Sequence, residues 1–149
     1  MKILLTGASG YIGKRLLPIL IENGHDVICC VRDLKRFNPP KSIKSKITIV
    51  EVDLLKKETL SNIPREIDAA FYLVHSMSAS SEYHILEDNS AKNFKEEINK
   101  TNVKQVVYLS GIVNETQLSK HLSSRKNVEA ELGKGKYSLT TLRAGIIIG

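Results

Sequence analysis

Apolar residues along the chain form short continuous runs, separated by stretches in which apolar positions recur every three or four residues. The run at residues 69–74 shows no alternation with polar residues, as expected for a parallel strand covered on both faces. Leu16, Leu17 and Leu20 follow the spacing of one helix face. The pattern predicts strands at residues 3–5, 26–31, 47–52, 67–74, 103–109 and 139–148, and helices at residues 14–21, 56–61, 82–101 and 121–132.

Strands that alternate with helices at this rhythm predict an α/β fold, a doubly wound parallel sheet of about six strands with helices on both faces. Two prolines at residues 39–40 predict a loop between the second and third strands. In the long helix, the apolar side chains of Ile85, Leu86, Phe94 and Ile98 mark the side that we expect to be buried.

The turn between the first strand and the first helix contains a glycine at every third position. Gly7 permits a sharp turn in a backbone conformation that other residues avoid. At Gly10 the missing side chain lets a pyrophosphate approach the backbone, and at Gly13 it lets the helix pack closely on the strand. The helix start would present free amides and the positive end of the helix dipole to the phosphates. The alternative is a tight strand–helix turn that binds no ligand.

The segment Thr6-Gly7-Ala8-Ser9-Gly10-Tyr11-Ile12-Gly13 resembles the Thr-Gly-x-x-Gly-x-x-Gly fingerprint of the extended and atypical short-chain dehydrogenases/reductases. That superfamily includes the nucleotide-sugar epimerases and the NmrA-like proteins. The resemblance implies a Rossmann fold and an NAD(P) cofactor that lies against Thr6, Gly7, Ser9, Gly10, Tyr11, Ile12 and Gly13.

The end of the second strand bears on the choice between the two cofactors. The resemblance places the acidic residue of NAD-specific relatives at Val31, which carries no carboxylate, and Arg32 follows it. A guanidinium can grip the 2′-phosphate of NADP through two hydrogen bonds, and Arg36 is a second candidate for that contact. NADP is therefore favoured. A small shift of this alignment would instead put Asp33 on the ribose and favour NAD. For Arg36 the alternative is a solvated loop charge.

Two further strand ends match positions that contact the cofactor in the resembling families. Asp53 and Leu54 end the third strand, where relatives place an acidic residue near the adenine amino group and an apolar one against the ring. Asp53 could also cap the helix that follows. Leu73, Val74 and His75 end the fourth strand, where relatives lay the backbone along the nicotinamide ribose. His75 is either part of the site or a structural histidine.

The candidate catalytic residues follow the fifth strand. Ser110 matches the serine that bonds the substrate oxygen in catalytic relatives, which also carry Tyr-x-x-x-Lys on the next helix. Here His121 stands where the tyrosine belongs and Arg125 where the lysine belongs. The tyrosine mechanism therefore cannot be carried over. Histidine can act as an acid or base near neutral pH, and Arg125 could hold the ribose. Ser110 and His121 are our hypothesis for the reacting pair.

Composition and charge leave this interpretation in place. The 149 residues are 42% apolar and 26% charged, as in ordinary globular domains. A net charge of +6 suits an anionic ligand, whereas scattered basic residues and 5% aromatics argue against a nucleic-acid surface. Adjacent Cys29 and Cys30 should point to opposite faces of a strand as buried, reduced thiols, which is typical of the cytoplasm. We predict no membrane span, no signal peptide and no metal site.

The chain ends on the apolar stretch at residues 146–148, which leads in the resembling families into a substrate-binding part. We expect residues 1–149 to be an NAD(P)-binding domain that lacks this part. A minimal domain that pairs through its last strand, as in an oligomer, is the alternative. The resemblance implies an NADP-linked oxidoreductase or epimerase-like enzyme acting on an unidentified small molecule. The other hypothesis is a non-catalytic NmrA-like redox sensor or assembly factor.

Overall fold

The computed structural model describes residues 1–75, 83–112, 120–145 and 147, with the side chains of all of these except Lys120 and His121. The strands of this part are β1 (Lys2–Thr6), β2 (Asp26–Val31), β3 (Ile47–Glu51), β4 (Ala69–Tyr72), β5 (Gln105–Gly111) and β6 (Ser138–Ala144). The α-helices are α1 (Tyr11–Glu22), α2 (Lys41–Lys44), α3 (Tyr83–Ile98) and α4 (Lys120–Leu132), and a 3₁₀ helix covers Lys57–Asn62.

The six strands form one parallel sheet in the order β3-β2-β1-β4-β5-β6. β1 is central, and its last residue, Thr6, lies opposite Cys30 of β2 on one side and Tyr72 of β4 on the other. β2 and β3 lie on one side of β1, and β4, β5 and β6 lie on the other, so the direction of strand addition reverses beside β1. The prediction of a doubly wound parallel sheet is confirmed.

Two hydrophobic cores lie on opposite faces of the sheet. α1 packs Leu17 and Leu20 against one face, while α3 and α4 cover the other with residues such as Phe94 and Leu132. Because neighbouring residues on a strand point to opposite sides, Cys29 lies in the first core and Cys30 in the second. Both thiols are buried and free, as predicted.

Several element boundaries differ from the prediction. α1 begins at Tyr11, three residues before the predicted start, because Gly10 is the residue that caps its amino end. β5 is displaced by two residues and includes Ser110, which had been expected just after it. The short helix α2 was not predicted; it follows directly on Pro40, whose fixed backbone angle suits a helix start.

The expected buried side of α3 is partly wrong. Phe94 and Ile98 are buried, but Ile85 is 48% exposed. Polar residues occupy much of the buried face instead, namely Glu87, Ser90, Asn93 and Glu97. Glu87 contacts α4 and the loop after β4, while Asn93 and Glu97 contact residues on either side of the 3₁₀ helix, so this face of α3 joins neighbouring elements partly through hydrogen bonds and ion pairs.

Candidate functional site

The glycine turn after β1 is closed by its own backbone. Gly7 adopts a φ of +73°, and its carbonyl accepts a hydrogen bond from Gly10 N–H at 2.9 Å. A Cβ at Gly7 would lie 2.9 Å from the Leu73 carbonyl oxygen, and one at Gly13 would lie 2.3 Å from the Gly7 carbonyl oxygen. Side chains are therefore excluded at both positions, which keeps the start of α1 pressed against the end of β1.

The amino end of α1 has the character of an anion site. Gly10 precedes the helix and offers no side chain to its first amides, and the first turn contains no acidic residue. Ser9 and Gly10 are exposed and Ile12 is half-buried. Tyr11 is exposed as well, with the Arg15 guanidinium stacked on its ring at 3.6 Å. Backbone N–H groups and a positive helix end favour a negatively charged group here.

Thr6 connects the glycine turn to the end of β4. Its hydroxyl donates to the Phe71 carbonyl at 2.9 Å and accepts from Leu73 N–H at 3.3 Å. These bonds hold Leu73 beside Gly7, and Val74 and His75 leave the sheet from this point. The fold thus brings the predicted contacts at the ends of β1 and β4 to one edge.

The residues after β2 lie on the other side of β1. Val31 is buried and Arg32 is exposed. Asp33 accepts Lys35 N–H at 2.8 Å and forms an ion pair with the exposed Arg36 at 3.7 Å. The Asp33 carboxylate therefore already serves to close its own turn.

Asp53 closes a turn at the end of β3. Its Oδ1 accepts Leu55 N–H at 3.0 Å, and the Thr59 hydroxyl accepts Asp53 N–H at 2.9 Å. The alternative that Asp53 caps the next helix is wrong, because that 3₁₀ helix begins at Lys57 and has no side-chain cap. Leu54 is buried in the core, and its carbonyl accepts a hydrogen bond from the Asn93 amide at 2.8 Å.

The candidate catalytic residues gather where β5 meets α4. Ser110 is buried, and its Oγ has no partner in hydrogen-bond geometry among the described residues. Arg125 donates from Nη1 to the Leu109 carbonyl at 3.2 Å, so its guanidinium lies at the end of β5. The backbone of His121 is in α4, but its side chain lies outside the described part of the chain.

Tyr108 is buried in β5, close to Ser110 and Arg125. Burial raises the pKa of the Tyr108 hydroxyl, and the nearby Ser110 hydroxyl and Arg125 guanidinium partly offset that rise. The hydroxyl donates to the Arg125 carbonyl at 3.4 Å. Tyr108 is therefore a neutral hydrogen-bond donor that fastens α4 to β5.

Sequence reasoning missed Glu87, which contacts His75. Nδ1 of His75 lies 2.5 Å from Oε1 of Glu87, and the Ser124 hydroxyl donates to Oε2 of the same carboxylate. A polar residue on a helix is expected to face solvent, so nothing in the sequence pattern marked Glu87 as buried. The signal that the sequence offered was a histidine at the carboxyl end of a parallel strand, where ligands and their polar partners gather.

Two further findings concern the described residues. They contain no group of three or more histidine, cysteine or acidic side chains able to hold a metal ion. None of their helices is long and apolar enough to cross a membrane.

A parallel sheet in this order, whose central strand turns through three glycines into a helix, defines a dinucleotide-binding domain of the Rossmann type. Comparison with known proteins agrees. The model of a family described as NAD(P)H-binding matches residues 7–144, and the chain belongs to that family. The resemblance to the extended and atypical short-chain dehydrogenases/reductases is likewise confirmed.

This chain spans less than half the length of each of the following similar proteins. Trichosetin synthetase PKS-NRPS1 from Gibberella fujikuroi is 30% identical over 102 residues, which are 63% of this chain and 3% of that protein. The photosystem II assembly factor Ycf39 from Synechocystis is 36% identical over 69 residues, 46% of this chain and 21% of that protein. The structure of Citrobacter triphenylmethane reductase complexed with NADP(H) has a TM-score of 0.79 at 16% identity, over 95% of this chain and 48% of that one.

Proposed function

We propose that this chain binds NADP(H) across the carboxyl ends of its parallel β-strands. The observation that carries the proposal is the glycine turn, in which Gly7 and Gly13 leave no space for side chains and Gly10 opens the amino end of α1. The pyrophosphate would lie on this turn, against Thr6, Ser9, Tyr11 and Ile12 as well. These are the contacts that the sequence predicted.

The preference for NADP over NAD rests on the turn after β2. Val31 offers no carboxylate to the ribose, and Asp33 is engaged with Lys35 N–H and Arg36. Arg32 is exposed and free of any role in the core, so it can reach a 2′-phosphate, with Arg36 as a second contact. The family resemblance further implies that Asp53 and Leu54 would border the adenine, and that Leu73, Val74 and His75 would border the nicotinamide ribose.

We infer further that the chain is the cofactor-binding half of an oxidoreductase or an epimerase-like enzyme. Its buried Ser110 hydroxyl lies near the Tyr108 hydroxyl but makes no hydrogen bond in good geometry among the described residues, so it is suited to a substrate oxygen. His121 would exchange the proton, and Arg125 would hold the ribose. The likeness to a reductase complexed with NADP(H) supports this function.

A second candidate function is non-catalytic dinucleotide binding, as in a redox sensor or an assembly factor. Arg125 favours it, because the guanidinium that replaces the lysine is bonded to the Leu109 carbonyl and so already has a structural role. The missing tyrosine and the similarity to Ycf39, a photosystem II assembly factor, point the same way.

Calorimetric titration with NADPH and with NADH tests the cofactor proposal. NADPH should bind more tightly than NADH. Arg32→Ala should weaken NADPH binding about tenfold or more, since a charge-assisted hydrogen bond contributes roughly 1.5–3 kcal/mol. The same substitution should change the affinity for NADH little. Lys35→Ala is the matched control, because it removes an exposed cation from the same turn and leaves the backbone bond to Asp33 intact. Equal affinity for both cofactors in the unmodified chain would refute the phosphate role of Arg32.

Activity separates the enzyme from the sensor. NADPH oxidation by the protein that carries this chain would be followed with a panel of carbonyl compounds. An enzyme should turn over at least one compound and lose that activity in Ser110→Ala and in His121→Ala. Turnover that survives both substitutions would rule out the proposed pair, and binding without turnover favours the sensor.

A further inference from the structure

One buried carboxylate links the end of β4 to helices α3 and α4. Glu87 is almost fully buried, and its two oxygens have different partners. Oε1 lies 2.5 Å from Nδ1 of His75, and Oε2 accepts a hydrogen bond from the Ser124 hydroxyl. The three side chains come from three separate elements, so only the folded chain assembles them.

The chemistry of this group determines the orientation of the histidine ring. A buried carboxylate is tolerated when hydrogen bonds replace its water, and an ionised carboxylate can only accept them. With Glu87 ionised, Nδ1 of His75 carries the hydrogen of the short contact between them. A ring held at Nδ1 has a fixed tautomer, with Nε2 directed away from the carboxylate.

The position of His75 places the ring near one half of the expected ligand. A dinucleotide bound at the glycine turn extends to both sides of β1, where the strand order reverses. Arg32 lies beyond β2 on one side, which assigns the adenosine half to that side. His75 follows β4 on the other side, and a quarter of its side chain is exposed.

We propose that Glu87 is a positioning residue. Ser124 holds its carboxylate, and the carboxylate fixes the His75 ring so that Nε2 contacts the nicotinamide half of the bound dinucleotide. The proposal rests on the proposed function, since it requires a dinucleotide on the glycine turn. It adds a pair of residues, Glu87 and Ser124, that act on the cofactor only through the histidine.

Imidazole nitrogen spectra of the labelled 149-residue chain test both parts. Without ligand, His75 should be protonated at Nδ1. NADPH should shift the His75 ring resonances, whereas adenosine 2′,5′-bisphosphate, which has the adenosine half alone, should bind and leave them unchanged. His25 is the internal reference, because it precedes β2 at the amino ends of the strands, away from the proposed site.

Substitutions then separate positioning from general damage. Glu87→Leu keeps the side-chain volume roughly constant and should abolish the Nδ1 tautomer of His75. It should weaken NADPH binding roughly fivefold to tenfold, as expected for one lost hydrogen bond, and leave binding of the bisphosphate unchanged. If Glu87→Leu does not fold, Ser124→Ala takes its place, since it is a smaller change that should act in the same direction. Glu97→Leu is the matched control, because it removes another buried carboxylate at the far end of α3.

The outcomes distinguish this inference from the proposed function. If NADPH and the bisphosphate both bind but NADPH leaves His75 unshifted, or if His75 is protonated at Nε2, the positioning role of Glu87 is overturned while the cofactor site stands. If neither ligand binds, the proposed function falls, and this inference falls with it.

Discussion

At Gly13 an added methyl group would collide with backbone atoms of the glycine turn. The added Cβ would lie 2.3 Å from the Gly7 carbonyl oxygen and 2.8 Å from the Ala8 Cα, and both atoms belong to the backbone of the glycine turn. The turn cannot yield without moving α1 away from β1. Close packing at this one residue therefore maintains the geometry on which the anion site depends.

Gly13→Ala should destabilise the chain by about 2 kcal/mol, since a steric cost of about 3 kcal/mol outweighs a helix-propensity gain of about 1 kcal/mol. Urea unfolding measures the difference. Gly24→Ala is the control: Gly24 has a φ of +74° but nothing within 4 Å of its Cβ, so the cost should be only about 1 kcal/mol. A Gly13→Ala chain as stable as the unmodified one would contradict the close approach of α1.

The two cysteines should be unreactive in the folded chain. Burial raises the pKa of Cys29 to about 12, and burial together with Cys29 raises the pKa of Cys30 further. Because the thiolate is the reactive form, iodoacetamide at about pH 8 should modify neither thiol until denaturant is added. Mass spectrometry counts the modified thiols. Rapid modification of the native chain would contradict their placement in the two cores.

At the scale of elements, α3 and α4 are joined by a partly buried ion pair. Lys95 of α3 lies 2.6 Å from Oε1 of Glu131 in α4, and their side chains are 15% and 19% exposed. Lys134 contacts the other oxygen at 2.6 Å. Hydrogen bonds from Lys134 and Lys95 hold the pKa of Glu131 below its ordinary value of 4.5.

Glu131→Gln should therefore lower stability by about 1 kcal/mol at neutral pH. A depressed pKa in the folded state contributes stability above pH 4.5, and that contribution is lost as the pH falls through the folded value. Thermal unfolding of both chains across pH should show the difference vanish in acid. Glu96→Gln is the control, because its contact with Lys57 is exposed and 4.0 Å long. A difference that persists unchanged in acid would contradict the ion pair.

The elements differ in how far the sequence could predict them. β1, the glycine turn and α1 carry strong local signals, so the apolar run and the glycine spacing predicted that they exist, although α1 begins three residues before its predicted start. The buried face of α3 depends on partners far along the chain. Glu87 is buried because His75 and Ser124 meet it, and no local pattern contains that information. The boundaries of β5 depend likewise on its pairing with β4 and β6.

Within the candidate site, strand topology could be predicted and side-chain partners could not. The rule that parallel strands end at one edge grouped Thr6, Arg32 and His75 correctly at that edge. The engagement of Asp33 by Lys35 N–H and Arg36 could not be read from the sequence. Side-chain hydrogen bonds of this kind decide whether a carboxylate is available to a ligand.

At the scale of the whole molecule, the two edges of the sheet have different characters. The carboxyl edge carries the glycine turn, the exposed Arg32 and the polar residues around Ser110. The amino edge has an open groove of about 530 Å³ whose lining includes Lys2, Asp26 and Lys46. That groove mixes opposite charges and lies away from the helix end that favours an anion, so we expect the dinucleotide at the carboxyl edge.

Backbone amide shifts of the labelled chain, recorded while NADPH is added, test the location of the cofactor most directly. The largest shifts should fall on residues 7–13, with smaller ones at Arg32 and His75, because the phosphates would bind the amides at the start of α1. Shifts concentrated at Lys2, Asp26 and Lys46, or a spectrum unchanged by saturating NADPH, would contradict a dinucleotide site on the glycine turn.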